Sequence, residues 1–551
     1  ESGQAVAGGL GGCSRIGHDA HLGRAGGAGQ ENRLVSRLTL CLCAIAAPVL
    51  AAPAFVDRAP ELGIAHSYEG GWEHFVGGGV AVFDCNADGR PDLLAAGGTR
   101  PAALFVNATE GPGSPLRFVD ATPPELALTG VTGAYPLEID GDGASDLVLL
   151  RVGENRLFAG EPECRFRDLA AELDFDGESG WTTAFSATWE AGRDLPTLAF
   201  GNYVDREDPE GPFGACDANA LHRPEGNRYA APVLLLPGHC PLSMLFSDWA
   251  RRGVQDLRIS NDRHYYLRGG GEQLWRMDEE PRLYSKAEGW EGPQLWGMGI
   301  ASRDITGDGY PEVYLTSMGD QWLMRHAGDP LRPNWSVVPF DTGAAAHRPY
   351  SGDDGRPSTG WHVQFGDVNN DGRDDLFVAK GNVDQMPENA SADPNNLLLQ
   401  QADGLFEEAG GVAGIGSIHR ARGAALADLD GDGRLDLVVV NRRAPMEIHQ
   451  NLAEDAGNWL AVELRQEGRN PDVIGGWIEL RGAGRSWLRE LTIGGGHAGG
   501  QRLPEHFGLG GLERVEVRAI TPDGQASDWI ETGVNRPLRL LLDEGGLSVR
   551  P

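Results

Sequence analysis

Residues 428–436, DLDGDGRLD, followed by the apolar run LVVV at 437–440, decide the reading of this chain. Carboxylates stand at positions 1, 3, 5 and 9 of a nine-residue loop, with Gly433 at position 6. Calcium takes about six to eight oxygens from carboxylates, carbonyls and water. Alternate side chains of a tight loop aim at one centre, and glycine supplies the backbone freedom that lets the chain wrap an ion. Four more segments share the frame: DCNADGRPD at 84–92, EIDGDGASD at 138–146, DITGDGYPE at 304–312 and DVNNDGRDD at 367–375. The expected calcium ligands are Asp84, Asn86, Asp88 and Asp92; Glu138, Asp140, Asp142 and Asp146; Asp304, Thr306, Asp308 and Glu312; Asp367, Asn369, Asp371 and Asp375; and Asp428, Asp430, Asp432 and Asp436. An EF-hand would need a glutamate at position 12 and flanking helices. Position 12 is instead Ala95, Leu149, Leu315, Val378 or Val439, and the flanks (EVYLTS, DLVVVN, GWHVQFG) read as strands.

Two further segments keep the frame with its donors worn away. Residues 248–256, DWARRGVQD, place Ala250 and Arg252 where oxygens belong, and the guanidinium argues against an ion there. Residues 188–198, TWEAGRDLPTL, are looser still. The seven loop starts lie 50 to 63 residues apart, and FVDRA, FVDAT, FRDLA and FEEAG recur between them near Phe55, Phe118, Phe166 and Phe406. A period of that length built of short strands and turns matches a four-stranded propeller blade. The expected fold is all-β, a seven-bladed β-propeller over residues 55–455.

From Asn458 the pattern changes to short alternating strands, NWLAVELRQ, VIGGWIELRG, SWLRELTIGGG and RVEVRAITPDG, which predict a small antiparallel β-domain over 456–545. Residues 494–499, GGGHAG, satisfy GxGxxG literally, but no helix pattern follows, so a dinucleotide site is not expected. The calcium-loop units resemble FG-GAP/VCBS repeats, the propeller type of integrin α-chain heads. The later segment, with NWLAVELR, NPDVIG at 470–475, GGGHAGGQ and HFGLG, resembles the ASPIC/UnbV domain. Together they resemble the cartilage acidic protein family and its bacterial relatives. The resemblance implies a secreted, calcium-binding protein that works by ligand binding or adhesion.

The N-terminal end fits export. Residues 1–30 read as an upstream extension. Residues 31–54 read as a signal peptide, with Arg33 and Arg37 before an apolar stretch at 38–50 and the small residues Ala52 and Ala54 bracketing Pro53. That stretch is too short to span a bilayer as a helix. Four cysteines then remain, Cys85, Cys164, Cys216 and Cys240, which allow three pairings. The last two bracket one Pro- and Gly-rich insertion and are the favoured disulfide. Asn107, Asn334 and Asn389 stand in glycosylation sequons, which matter only in a glycosylating host.

With 80 acidic and 47 basic side chains the formal charge is −33, which excludes the basic footprint of a nucleic-acid binder. Forty per cent apolar residues and 14 tryptophans exclude a disordered chain. No HExxH, GxSxG or GKS/GKT motif is present, so no enzyme activity is expected. His497 reads as structural. If each calcium loop follows an innermost strand, the strand beginnings ring the opposite channel mouth. Trp296, Trp361, His362 and Arg422, with Tyr135 and the nearby loop residues His264, His347 and Tyr350, are then candidates to contact a protein or glycan ligand. An extracellular hydrolase or lyase with a pocket at that mouth is the alternative.

Overall fold

The computed structural model describes residues 53–550, apart from 209–214, 263–269, 346, 351–354 and 384–385. The expected extension and all but the last two residues of the expected signal peptide lie outside the described residues, as does His264. Seven four-stranded antiparallel units follow one another from Val80 to Asn451. Their innermost strands are Val80–Phe83, Val131–Leu137, Ser179–Thr188, Pro241–Ser247, Gly297–Arg303, Gly360–Gly366 and Arg420–Ala427. Each packs against the next, and the seventh packs against the first, so the series closes into a ring. The second strands, such as Asp375–Lys380 and Asp436–Arg442, are buried along their whole length. They lie between stacked sheets and therefore read as continuous rather than alternating apolar runs.

The ring is closed by a strand from the other end of the chain. Phe55–Asp57 is the fourth strand of the seventh unit, with Phe55 opposite Asn451 and Asp57 opposite His449. This explains the FVDRA motif at the N-terminal end. The same motif forms the outer strands Phe118–Asp120, Arg165–Asp168 and Phe406–Glu408 in three other units, and the first copy serves the last unit.

After Asn458 two four-stranded sheets pack on a common core that includes Leu460, Val462, Ile478, Leu480, Val517 and Leu538. The strands are antiparallel except for one pair, Asn458–Gln466 with Arg536–Asp543, which runs parallel. The chain passes through both sheets between those two strands, so a tight hairpin does not dictate their direction. The final strand, Gly546–Arg550, extends beyond the expected boundary at 545.

The glycine-rich segment of this second domain runs up the axis of the ring and bonds to every inner strand. Ile493 O accepts from the Ala187 N–H, the Gly495 N–H donates to Met244 O at 2.7 Å, and the Gly496 N–H donates to Ile300 O at 2.6 Å. The His497 N–H donates to His362 Nδ1 at 3.1 Å. Ala498 O and Gly500 O accept from the Ala134 and Val82 N–H groups, each at 3.1 Å. Gln501 Nε2 donates to Leu426 O at 3.0 Å. Gly494, Gly495 and Gly496 have φ of 127°, 71° and 55°, values that side-chain-bearing residues rarely adopt. At Gly499 a β-carbon would stand 2.2 Å from Val80 O.

Gly499→Ala should therefore lower stability by about 1–3 kcal/mol through overpacking. Gly511→Ala, where a β-carbon meets nothing within 4 Å, should leave the thermal midpoint unchanged. Paired melting curves of the two variants and the parent check this.

Candidate metal loops and the closed channel

Each acidic loop connects an inner strand to the second strand of its unit, and its backbone folds around its own carboxylates. In the 428–436 loop Asp428 accepts from the Asp432 and Gly433 N–H groups at 3.1 and 2.8 Å. Asp436 accepts from the Leu429 N–H at 2.8 Å and from the Asn451 N–H at 2.7 Å, tying the loop to the third strand. Asp84 with Gly89, and Asp367 with Gly372, repeat the first contact. Asp92 with Asn107, and Asp375 with Gln400, repeat the last. Position 9 thus fastens the hairpin as well as facing the loop centre.

The carboxylates converge. One oxygen from each of Asp428, Asp430 and Asp436 lies within 4.8 Å of the others, as do oxygens of Glu138, Asp140 and Asp146. Burial, reinforced by neighbouring carboxylates, raises Asp92 and Asp428 to about 7 and Asp146 to about 8, and Asp367, Asp375 and Asp436 well above the usual range. Such an all-oxygen, highly anionic set fits a hard divalent cation. Cys85 and Cys164 stand close to Asp92 but are joined to each other, so they offer no thiolate ligand. Cys216 pairs with Cys240 as favoured. The Cys85–Cys164 bond links the first acidic loop to the outer hairpin of the second unit.

Arginines reach ligand positions in all five loops, at position 5 in three of them and at the buried position 1 or 9 carboxylate in the other two. Arg502 Nη2 lies 3.5 Å from Glu138 Oε2, and Arg325 Nε lies 3.1 Å from Glu312 Oε1. In the worn 248–256 loop the guanidinium is at the centre. Asp248 still accepts from the N–H groups at positions 5 and 6, at 2.8 and 2.7 Å. Arg252 Nη2 donates to buried Asp256 at 2.9 Å, alongside the Tyr284 hydroxyl and the Trp249 indole N–H. In the 188–198 segment Glu190 is held by Arg193 at 3.0 Å and Arg223 at 2.9 Å.

The second domain sits over these loops. Arg485 and Trp487 donate to Gly372 O at 2.6 and 3.0 Å, and Arg489 pairs with Asp374 at 2.9 Å. The Gly457 and Gly510 N–H groups donate to the Asn369 and Asn370 carbonyls. His506 bonds Gly433 O, and Glu490 accepts from Ser247 Oγ and the Asp248 N–H. Nothing in the local sequence around those arginines announces this contact.

The expected ligand residues do not line an open mouth. Trp361 and Arg422 are fully buried, the guanidinium 4.0 Å from the indole centroid. Trp361 Nε1 donates to Gly381 O, and Arg422 donates to the Phe75 and Ala421 carbonyls. His362 is buried against the axial segment, and burial lowers it to about 4. Trp296 is half-buried in an apolar cluster with Phe75, Trp181 and Met298, and Tyr135 is buried. The assignment of Trp361, His362 and Arg422 to an exposed channel-mouth site is thus corrected by their burial, whereas Trp296 keeps a partly exposed face. The strand beginnings meet the axial segment 493–501, and Phe75 O and the Gly77 N–H bond to Arg422 and His497 beside it. His497 is fully buried and neutral. Nε2 accepts the Gly77 N–H, so Nδ1 bears the proton given to Leu242 O, and burial lowers the ring to about 3. His347 pairs with Asp320, and Tyr350 is exposed.

Residues 304–378 and 367–439 match the FG-GAP-like repeat family, and residues 466–547 match the ASPIC and UnbV family. The chain is 23% identical to cartilage acidic protein 1 of Mus musculus, over 81% of this chain and 70% of that protein. It is 26% identical to the Homo sapiens protein, over 81% and 69%. Among solved structures, a lectin of Agrocybe aegerita that recognises terminal N-acetylglucosamine aligns with a TM-score of 0.38 and 14% identity, over 68% of this chain and 94% of that one. Residues 304–439 are thus similar to FG-GAP-like repeats and residues 466–547 to the ASPIC and UnbV domain, and most of the chain is similar to cartilage acidic protein 1.

Proposed function

We propose that this is an exported binding protein whose propeller and second domain are held together by structural calcium. The observation that carries the reading is the convergence of carboxylates in the 138–146 and 428–436 loops, which share one register with the other three. Without a cation, like charges in a poorly solvated space repel one another, and burial penalises each. A divalent ion answers both penalties without a proton. The expected ligands are the twenty residues at positions 1, 3, 5 and 9 of the five loops. Two disulfides suit an oxidising compartment, and among the described residues no helix is long and apolar enough to cross a membrane.

The worn 248–256 loop supports the same logic from the other side. Arg252 supplies as a fixed side chain the positive charge that an ion would bring, and the loop backbone is unchanged around Asp248. The 188–198 segment uses Arg193 and Arg223 in the same way.

Chelation should lower the thermal midpoint by several degrees, since one site at a hundredfold excess over its dissociation constant contributes about 2.7 kcal/mol. An unchanged melting curve in excess chelator would remove calcium from this reading. Arg252→Ala should cost about 3 kcal/mol, read as a lower urea midpoint, because it leaves buried Asp256 short of its charge partner. Replacing Ala250 and Arg252 together by aspartate restores the oxygen pattern, and the double variant should bind one more calcium per chain by equilibrium dialysis. A stoichiometry equal to the parent's would show that oxygen donors in this frame do not suffice.

A further inference from the structure

We propose that a polar cleft where the seventh unit meets the second domain receives the guanidinium or ammonium group of a partner's basic side chain. The cleft has a volume of about 670 Å³, and its walls include Asn370, Asp432, Glu454, Asp455, Trp459 and Asn535. It lies on the linker between the two domains, away from the sealed axis.

Its chemistry is that of an acceptor. Asn370 is fully buried, its Nδ2 donates to Gly433 O at 2.8 Å, and its Oδ1 has no hydrogen-bond partner. A buried amide oxygen left in this state costs free energy until a donor reaches it. Glu454 and Asp455 are exposed at the rim, and among the described residues neither forms an ion pair. The one arginine of the cleft, Arg434, is already engaged, pairing with Asp432 and donating to Asn451 O at 3.0 Å. The Asn535 amide is likewise spent, on the Asn458 side chain and the Trp459 N–H.

Trp459 supplies a ring surface. Its indole stacks on His506 at an interplanar angle of 13° and lies so close over Gly433 that a β-carbon there would stand 1.9 Å from it. Those contacts fix the half-buried indole in the cleft wall. Carboxylates beside a fixed indole suit a cation, which gains from both the charge and the ring quadrupole. A neutral ligand would gain little from two unpaired carboxylates. The formal charge of −33 speeds the encounter with a basic partner. The assignment deepens the binding role proposed above and rests on it, but not on how many calcium loops are filled.

The test is fluorescence polarisation with a labelled Gly-Arg-Gly-Arg-Gly peptide and the full chain, in calcium and about 150 mM salt. Saturable binding is expected, about fivefold weaker in the double variant Glu454→Gln with Asp455→Asn, the size expected of two exposed ion pairs. The control Glu110→Gln with Asp341→Asn, which removes two exposed acids elsewhere, should match the parent. A peptide with citrulline in place of arginine should not compete. Equal weakening in both double variants would assign binding to the general field and overturn the site. Absent binding, or competition by the citrulline peptide, would overturn the cationic ligand. None of those failures touches the calcium reading, which the melting curves test on their own.

Discussion

A ring of seven sheets has an axis, and what fills that axis governs everything else in this molecule. The inner strands carry backbone groups that have no neighbour within their own sheet on the axial side. Buried N–H and C=O groups left without partners are costly, so a ring of this size needs water, ligand or protein at its centre. Here one segment of a separate domain provides the partners. Met244, Ile300, Ala134 and Val82 each exchange a main-chain bond with residues 495–500. Only glycine can serve along most of that path. Gly79 and Gly133 on the ring and Gly499 on the segment approach so closely that any side chain would meet backbone. The two domains therefore form one cooperative structure, with the second acting as the core of the first.

That arrangement brings an electrostatic problem with it. Threading the axis lays the second domain over the acidic loops, which strips water from carboxylates that a bare hairpin would leave solvated. Asp367, for example, is covered by Gly508, whose missing side chain leaves just enough room. Arginines of the covering domain answer part of the charge, Arg489 at Asp374 and Arg502 at Glu138. In the 84–92, 367–375 and 428–436 loops position-7 arginines pair with the position-5 aspartates.

How much of this was legible depended on the range over which each signal acts. The loops were readable because their ligands lie within nine residues and their frame repeats. The four-stranded period was readable for the same reason, and so was the bond between Cys216 and Cys240, 24 residues apart in one insertion. Cys85–Cys164, separated by 79 residues, was not. Trp361, His362 and Arg422 at the strand beginnings suggest an open mouth because a local pattern shows which way a strand points but not what comes to meet it. His497 is the complement of that error. Its turn has no meaning within its own domain, and its two ring nitrogens find their partners at Gly77 and Leu242, hundreds of positions away.

The net charge takes on a different meaning once these ranges are separated. Seventeen of the eighty carboxylates stand at ligand positions in the five loops, and most of those are now interior groups. Five divalent ions would offset ten of the thirty-three formal negative charges. The charge that a partner meets is the remainder, spread over the outer strands, the rims and the linker. An acidic composition in a repeat protein of this kind therefore reports two separate things. The clustered, periodic part describes how the fold is held together, and only the dispersed part describes which partners it can approach.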